Sequence, residues 1–131
     1  MKHRSRVNIL IVDNNERILW AIQELLENAE FDTTTTWSGR EALALLKTGR
    51  FDVLLVDDYL PDLHAHDFLE RVRCLPIQPR VIVMQPEAPS LTDLQKYESL
   101  GAAQVVDKRN QKKIWDAVTA CCKADSITII H

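Results

Sequence analysis

Three short apolar runs, each stopped by a charge, constrain this chain more than any other feature. Val7-Asn-Ile-Leu-Ile-Val12 runs into Asp13, Phe51-Asp-Val-Leu-Leu-Val56 into Asp57, and Val105-Val106 into Asp107 and Lys108. Such runs do not alternate polar and apolar, so they do not suit a sheet with one wet face. They suit strands buried on both faces, as in a parallel sheet covered by helices. Each charged residue then stands just past the carboxyl end of its strand, the edge at which open α/β sheets bind ligands. Two carboxylates and one ammonium meeting there would make a small site for a cation and a phosphoryl group.

The remaining sequence alternates strand and helix around these runs. Strands are expected near residues 7–12, 31–37, 52–56, 80–84 and 104–106. The second carries four threonines, which favour extended backbone. A helix near 16–27 is capped by Asn14 or Asn15 and striped by Ile18, Ile22, Leu25 and Ala29. Ser38-Gly-Arg-Glu41 reads as a capping box for a second helix closed by Gly49. A third is expected near 66–73. Ser90 caps a fourth, striped by Leu91, Leu94, Tyr97 and Leu100 and ended by Gly101. A fifth, near 111–122, turns Ile114, Val118 and Cys121 inward. Short connections between alternating elements imply right-handed crossovers and helices on both faces. The ending Ser126-Ile-Thr-Ile-Ile-His131 reads as an edge strand, a dimer contact or the start of a linker. The domain is therefore placed at 1–124 and a tail at 125–131.

With 131 residues, 46% of them hydrophobic, the chain is long enough for one ordinary core. A net charge of −3 argues against a dedicated nucleic-acid binder, and the basic start Lys2-His3-Arg4-Ser5-Arg6 reads as a solvated tail. No apolar stretch reaches the roughly 18 residues of a membrane span, and the start does not resemble a signal peptide. Cys74, Cys121 and Cys122 lack metal-ligand spacing and suit reduced thiols in a cytoplasm.

An aspartate can attack phosphorus and become an aspartyl phosphate. That chemistry needs a divalent cation, a fixed positive side chain and donors on the phosphoryl oxygens. Asp57 suits the nucleophile, Asp13 a cation-side carboxylate and Lys108 the positive clamp.

On Ile9-Leu-Ile-Val-Asp13, Asp57-Asp-Tyr-Leu-Pro61-Asp, and Gly101-Ala followed by Val105-Val-Asp-Lys108, the chain resembles the receiver domain of two-component response regulators. The resemblance implies a flavodoxin-like three-layer sandwich, a five-stranded parallel sheet of order 2-1-3-4-5 with five helices. It implies that Asp57 accepts the phosphoryl group, that Lys108 contacts it, and that magnesium is held at Asp13, Asp57, Asn14 and Tyr59. It also implies a sensor histidine kinase or phosphotransfer protein as donor, a downstream output protein or an output domain outside this chain, and a homodimer as one assembly. Direct contact with nucleic acid or a membrane is not expected.

The departures matter as much. Asn14 stands where a second acid is usual, so magnesium is expected to bind weakly or not at all. Gln85 replaces the hydroxyl residue at the end of the fourth strand, as the other phosphate-contacting candidate, and Pro86 after it has no N–H to donate. Val105 stands at the aromatic switch position and Arg109 where proline is usual. Ala65, between His64 and His66, replaces a loop glycine. These losses support an alternative reading, a pseudo-receiver that docks partners without phosphorylation. Enzymatic readings fare worse. Asp13-Asn-Asn-Glu16 would repel a flavin phosphate, and Tyr59 stands where an aspartate-nucleophile phosphatase needs a second acid. On the first helix Trp20 lies roughly 160–180° from the apolar stripe, so it is expected to be exposed. The resemblance makes it a candidate for partner docking.

Overall fold

The apolar runs pair side by side as one parallel sheet. The computed structural model describes residues 6–130, with side chains as far as residue 122. In chain order the elements are β1 (Asn8–Val12), α1 (Glu16–Glu27), β2 (Asp32–Thr36), α2 (Gly39–Thr48), β3 (Val53–Asp57), α3 (Ala65–Arg73), β4 (Arg80–Gln85), α4 (Leu91–Ser99), β5 (Ala102–Asp107) and α5 (Gln111–Ile130). The strand order is β2-β1-β3-β4-β5, and every pairing is parallel.

Period-two alternation divides the apolar side chains between two cores. Ile9, Ile11, Leu55, Ile82 and Met84 pack against Leu19, Ile22 and Leu26 of α1 and Ile114 and Val118 of α5. Leu10, Val12, Leu54, Val56, Val81 and Val83 face Ala42 and Leu46 of α2, Phe68 and Leu69 of α3, and Tyr97 of α4. Each such side chain contributes about 1.5–3 kcal/mol on burial. The chain leaves β1 for β2 on one side and returns to β3 on the other. The carboxyl ends of β1 and β3 therefore flank the point where the connections diverge, which opens a crevice there.

Local chemistry explains the helix ends. Asn15, not Asn14, caps α1, its side chain accepting from the N–H groups of Arg17 and Ile18. Ser38 caps α2, but the reciprocal half of the expected capping box is absent: the Glu41 carboxylate accepts from the Thr36 hydroxyl instead. Gly49 ends α2 at φ −109°, a conformation open to any residue, whereas Gly101 ends α4 at φ +97°. Ala65 opens α3, so no left-handed residue is required there.

The expected stripe of α4 is only half right. Leu91 and Leu94 are 69% and 40% exposed, and only Tyr97 and Leu100 of that series turn inward. Steps of three residues drift by about 60° on a 3.6-residue helix, so Leu91 ends opposite Leu100. Of the three readings of the C-terminal residues, the edge strand fails, because residues 126–130 continue α5. The basic stretch at residues 2–5 and His131 lie outside the described residues. No helix among the described residues is long and apolar enough to cross a membrane.

Candidate functional site

Asp13, Asp57 and Lys108 come from three strand ends and converge in the crevice between β1 and β3. Lys108 Nζ lies 3.0 Å from Asp13 Oδ2 and 3.1 Å from Asp57 Oδ1. Backbone bonds hold them there. Asp13 N–H donates to the Thr36 carbonyl at 3.2 Å, Asp58 N–H to Met84 at 2.8 Å and Lys108 N–H to Gln85 at 2.8 Å. Asp13 Oδ1 also accepts from the Asn15 N–H at 2.8 Å. Both carboxylates are buried, and the lysine side chain is 11% exposed.

The two carboxylates are not equivalent. Asp13 receives a hydrogen bond from Lys108. The contact with Asp57 is an ion pair without hydrogen-bond alignment, and Asp57 Oδ1 is buried with no donor on it. Burial and then the Asp13 charge push the Asp57 pKa up to about 7, against the opposing pull of Lys108. Burial draws the Lys108 ammonium down, yet the hydrogen bond and charge of Asp13 and the charge of Asp57 outweigh it, and its pKa is raised. Two acids facing one ammonium leave the site short of positive charge.

The donor set fits magnesium. That ion takes one or two carboxylates and keeps several waters, and Asp57 Oδ1 is an acceptor with nothing bonded to it. Asn14 is exposed beside Asp13, and the Tyr59 ring is exposed on the loop after β3. No group of three or more metal-ligating acids, histidines or cysteines occurs among the described residues; Asp13 and Asp57 are the two carboxylates that Lys108 bridges.

The remaining candidates are arranged differently. Gln85 is buried, but its amide nitrogen donates to the Glu87 carbonyl at 3.3 Å and to Asp93 Oδ2 at 3.1 Å, toward α4 rather than Asp57. Val105 is buried in the same core as Tyr97, whose ring comes from α4. The Tyr97 hydroxyl pKa is raised by burial and then by the charges of Asp58, Asp93 and Asp57. Arg109 is bonded to Asp107, at 3.0 Å through Nε and 2.8 Å through Nη2. His64 and His66 are exposed. Trp20 is 67% exposed on α1.

Sequence reasoning missed Asp62. Its carboxylate accepts from the N–H groups of Gly39 and Arg40, at 2.9 and 3.0 Å, and from the Ser38 hydroxyl at 2.9 Å. It thus clips the loop after Asp57 to the start of α2. Nothing in the order of residues signals a bond across 23 positions. The role of Asp93 was missed as well, although Ser90-x-x-Asp93 carries the capping-box pattern that could have found its bond to Ser90; no such pattern marks the tie from Gln85 to Asp93.

Residues 9–119 match the family model described as the response regulator receiver domain. The cell cycle response regulator CtrA of Brucella ovis is 24% identical over 78 residues, covering 60% of this chain and 34% of that protein. The chain thus spans about a third of the length of the curated relatives it matches. Among solved structures, the chemotaxis response regulator CheY4 of Vibrio cholerae superposes with a TM-score of 0.82 at 24% identity, over 89% of this chain and 99% of that one. The receiver domain of Francisella response regulator 1452 gives 0.84 at 24% identity, over 92% and 99%.

Proposed function

The chain belongs to the response regulator receiver domain family, and we propose that it accepts a phosphoryl group on Asp57 within a two-component phosphorelay. The observation that carries this reading is the bridge of Lys108 between Asp13 and Asp57. A carboxylate oxygen of Asp57 forms the new bond to phosphorus as the bond to the donor's leaving group breaks. The Lys108 ammonium, held by both acids, stands ready to carry the charge of a phosphoryl oxygen. Asp57 must be ionised to attack, and its raised pKa leaves part of the population protonated near neutral pH. Asp13 and Asp57 are the residues that would hold magnesium, with Asn14 and Tyr59 as neighbours; when bound, the ion neutralises the transferring phosphoryl group.

The donor is a sensor histidine kinase or a phosphotransfer protein, and Trp20 on α1 is a docking residue for it. Output passes to a partner or to a domain beyond this segment, with a homodimer as one route. The domain accepts phosphoryl groups rather than acting as an enzyme, and it works in the cytoplasm without touching DNA or membrane. A second reading, docking without phosphorylation, is favoured by the commitment of the Gln85 amide to α4 and by Pro86. Acetyl phosphate with magnesium separates the two. A phosphoryl mass gain on wild type, absent in Asp57→Asn, supports the first. No gain on wild type supports the second.

A further inference from the structure

The end of β4 holds an arrangement that phosphoryl transfer does not use. Gln85 is 4% exposed, and its amide has two acceptors, the Glu87 carbonyl and Asp93 Oδ2. Asp93 Oδ2 also accepts the Ser90 N–H at 3.0 Å, while the Ser90 hydroxyl accepts the Asp93 N–H at 3.1 Å. One carboxylate oxygen therefore joins the sheet edge to the complete capping box of α4. Strand alternation turns Gln85 with Val81 and Val83 toward α4, whereas Asp57 falls in step with Val53 and Leu55 on the α1 and α5 side. The next residue, Pro86, has no N–H. Neither the Gln85 side chain nor Pro86 has a donor left for a phosphoryl oxygen.

We propose that Gln85 is a lock between β4 and α4, holding the first turn of α4 in one position whether or not Asp57 carries a phosphoryl group. This rests on the reading of Asp57 as phosphoacceptor only where the phosphorylated state is concerned. A bound group moves an equilibrium only by its different affinity for the two states. To recruit the Gln85 amide, a phosphoryl oxygen would have to take it from a charged acceptor, trading one charge-assisted hydrogen bond for another. Asp93 stays charged across the neutral range, because the Ser90 N–H and then the Gln85 amide hold its pKa low. With Val105 in the second half of β5 there is also no ring on that strand to swing.

Hydrogen exchange of the whole chain, followed on peptides covering residues 91–97, tests this. Gln85→Met keeps the volume and removes the amide, leaving Ser90 and Asp93 to cap each other. Without any phosphodonor its exchange in the first turn of α4 is expected to rise about tenfold. Asp93→Asn, which weakens the acceptor, is expected to give a smaller rise and serves if Gln85→Met does not fold. Wild type treated with acetyl phosphate and magnesium, with the phosphorylated fraction read by intact mass, is expected to change less than about threefold. Exchange in phosphorylated wild type that rises as far as in Gln85→Met would overturn the lock, as would variants that exchange like wild type. A wild type that gains no mass removes the assignment of Asp57, while the comparison of variants still decides whether Gln85 holds α4.

Discussion

Lys108 engages Asp57 less fully than it engages Asp13. Nζ and Oδ1 are 3.1 Å apart, yet that oxygen is buried and receives no hydrogen bond. The same ammonium makes a properly aligned bond to Asp13 at 3.0 Å. Asp57 is thus the less satisfied acid, and its pKa of about 7 reflects burial first and Asp13 second.

This predicts a pH dependence of stability in metal-free buffer. Between the ordinary 3.8 and about 7, the folded protein binds more protons at Asp57 than the unfolded chain does. Stability from this group therefore falls as pH rises through that window. Asp57→Asn removes the charge. It is expected to be more stable than wild type at pH 8, by roughly 2–4 kcal/mol, with the gain fading toward pH 4. Urea unfolding across that range is the measurement; equal stability at pH 8 would contradict the electrostatic account.

Asn14→Asp restores an acid beside Asp13. Coulomb's law gives about 4 kcal/mol for a charge pair at 4 Å with an effective dielectric near 20, of which the native amide and water recover a large share. Magnesium binding is expected to tighten about tenfold or more, as read by calorimetric titration. Tight binding in wild type, unaffected by the substitution, would show that the missing charge does not limit affinity.

Asp62→Ala breaks the clip between the Asp57 loop and α2. Two N–H groups of the first turn and the Ser38 hydroxyl lose their acceptor. The expected loss is about 0.5–2 kcal/mol, the range for removal of a helix cap. Denaturant unfolding would detect it, and a variant as stable as wild type would mean that water replaces the clip.

Trp20→Ala should leave stability within about 0.5 kcal/mol, because the ring is exposed. If the residue docks the phosphodonor, phosphotransfer from the cognate kinase or phosphotransfer protein slows about tenfold or more, while labelling by acetyl phosphate stays unchanged. Equal rates with the protein donor would take Trp20 out of the interface.

The parallel sheet and the trio at its edge were legible in the chain. Runs such as Ile9–Val12 and Val53–Val56 carry their burial in composition, and a charge that ends a run marks the strand's end. Ser38 and Ser90 were legible as caps, and Asn15 as one of two candidates, because capping spans only three or four residues. Glu41 was not, since its choice of the Thr36 hydroxyl over the Ser38 N–H depends on how β2 meets α2. Leu91 and Leu94 looked like core because hydrophobicity was counted without the angular drift that turns them outward. Gln85 could be identified as a departure, but not followed. Its amide chooses among acceptors contributed by β4, the following loop and α4, and Asp62 likewise finds α2 across the crevice. Hydrogen-bond partners separated along the chain are selected by packed geometry, which a linear pattern of residue types does not encode.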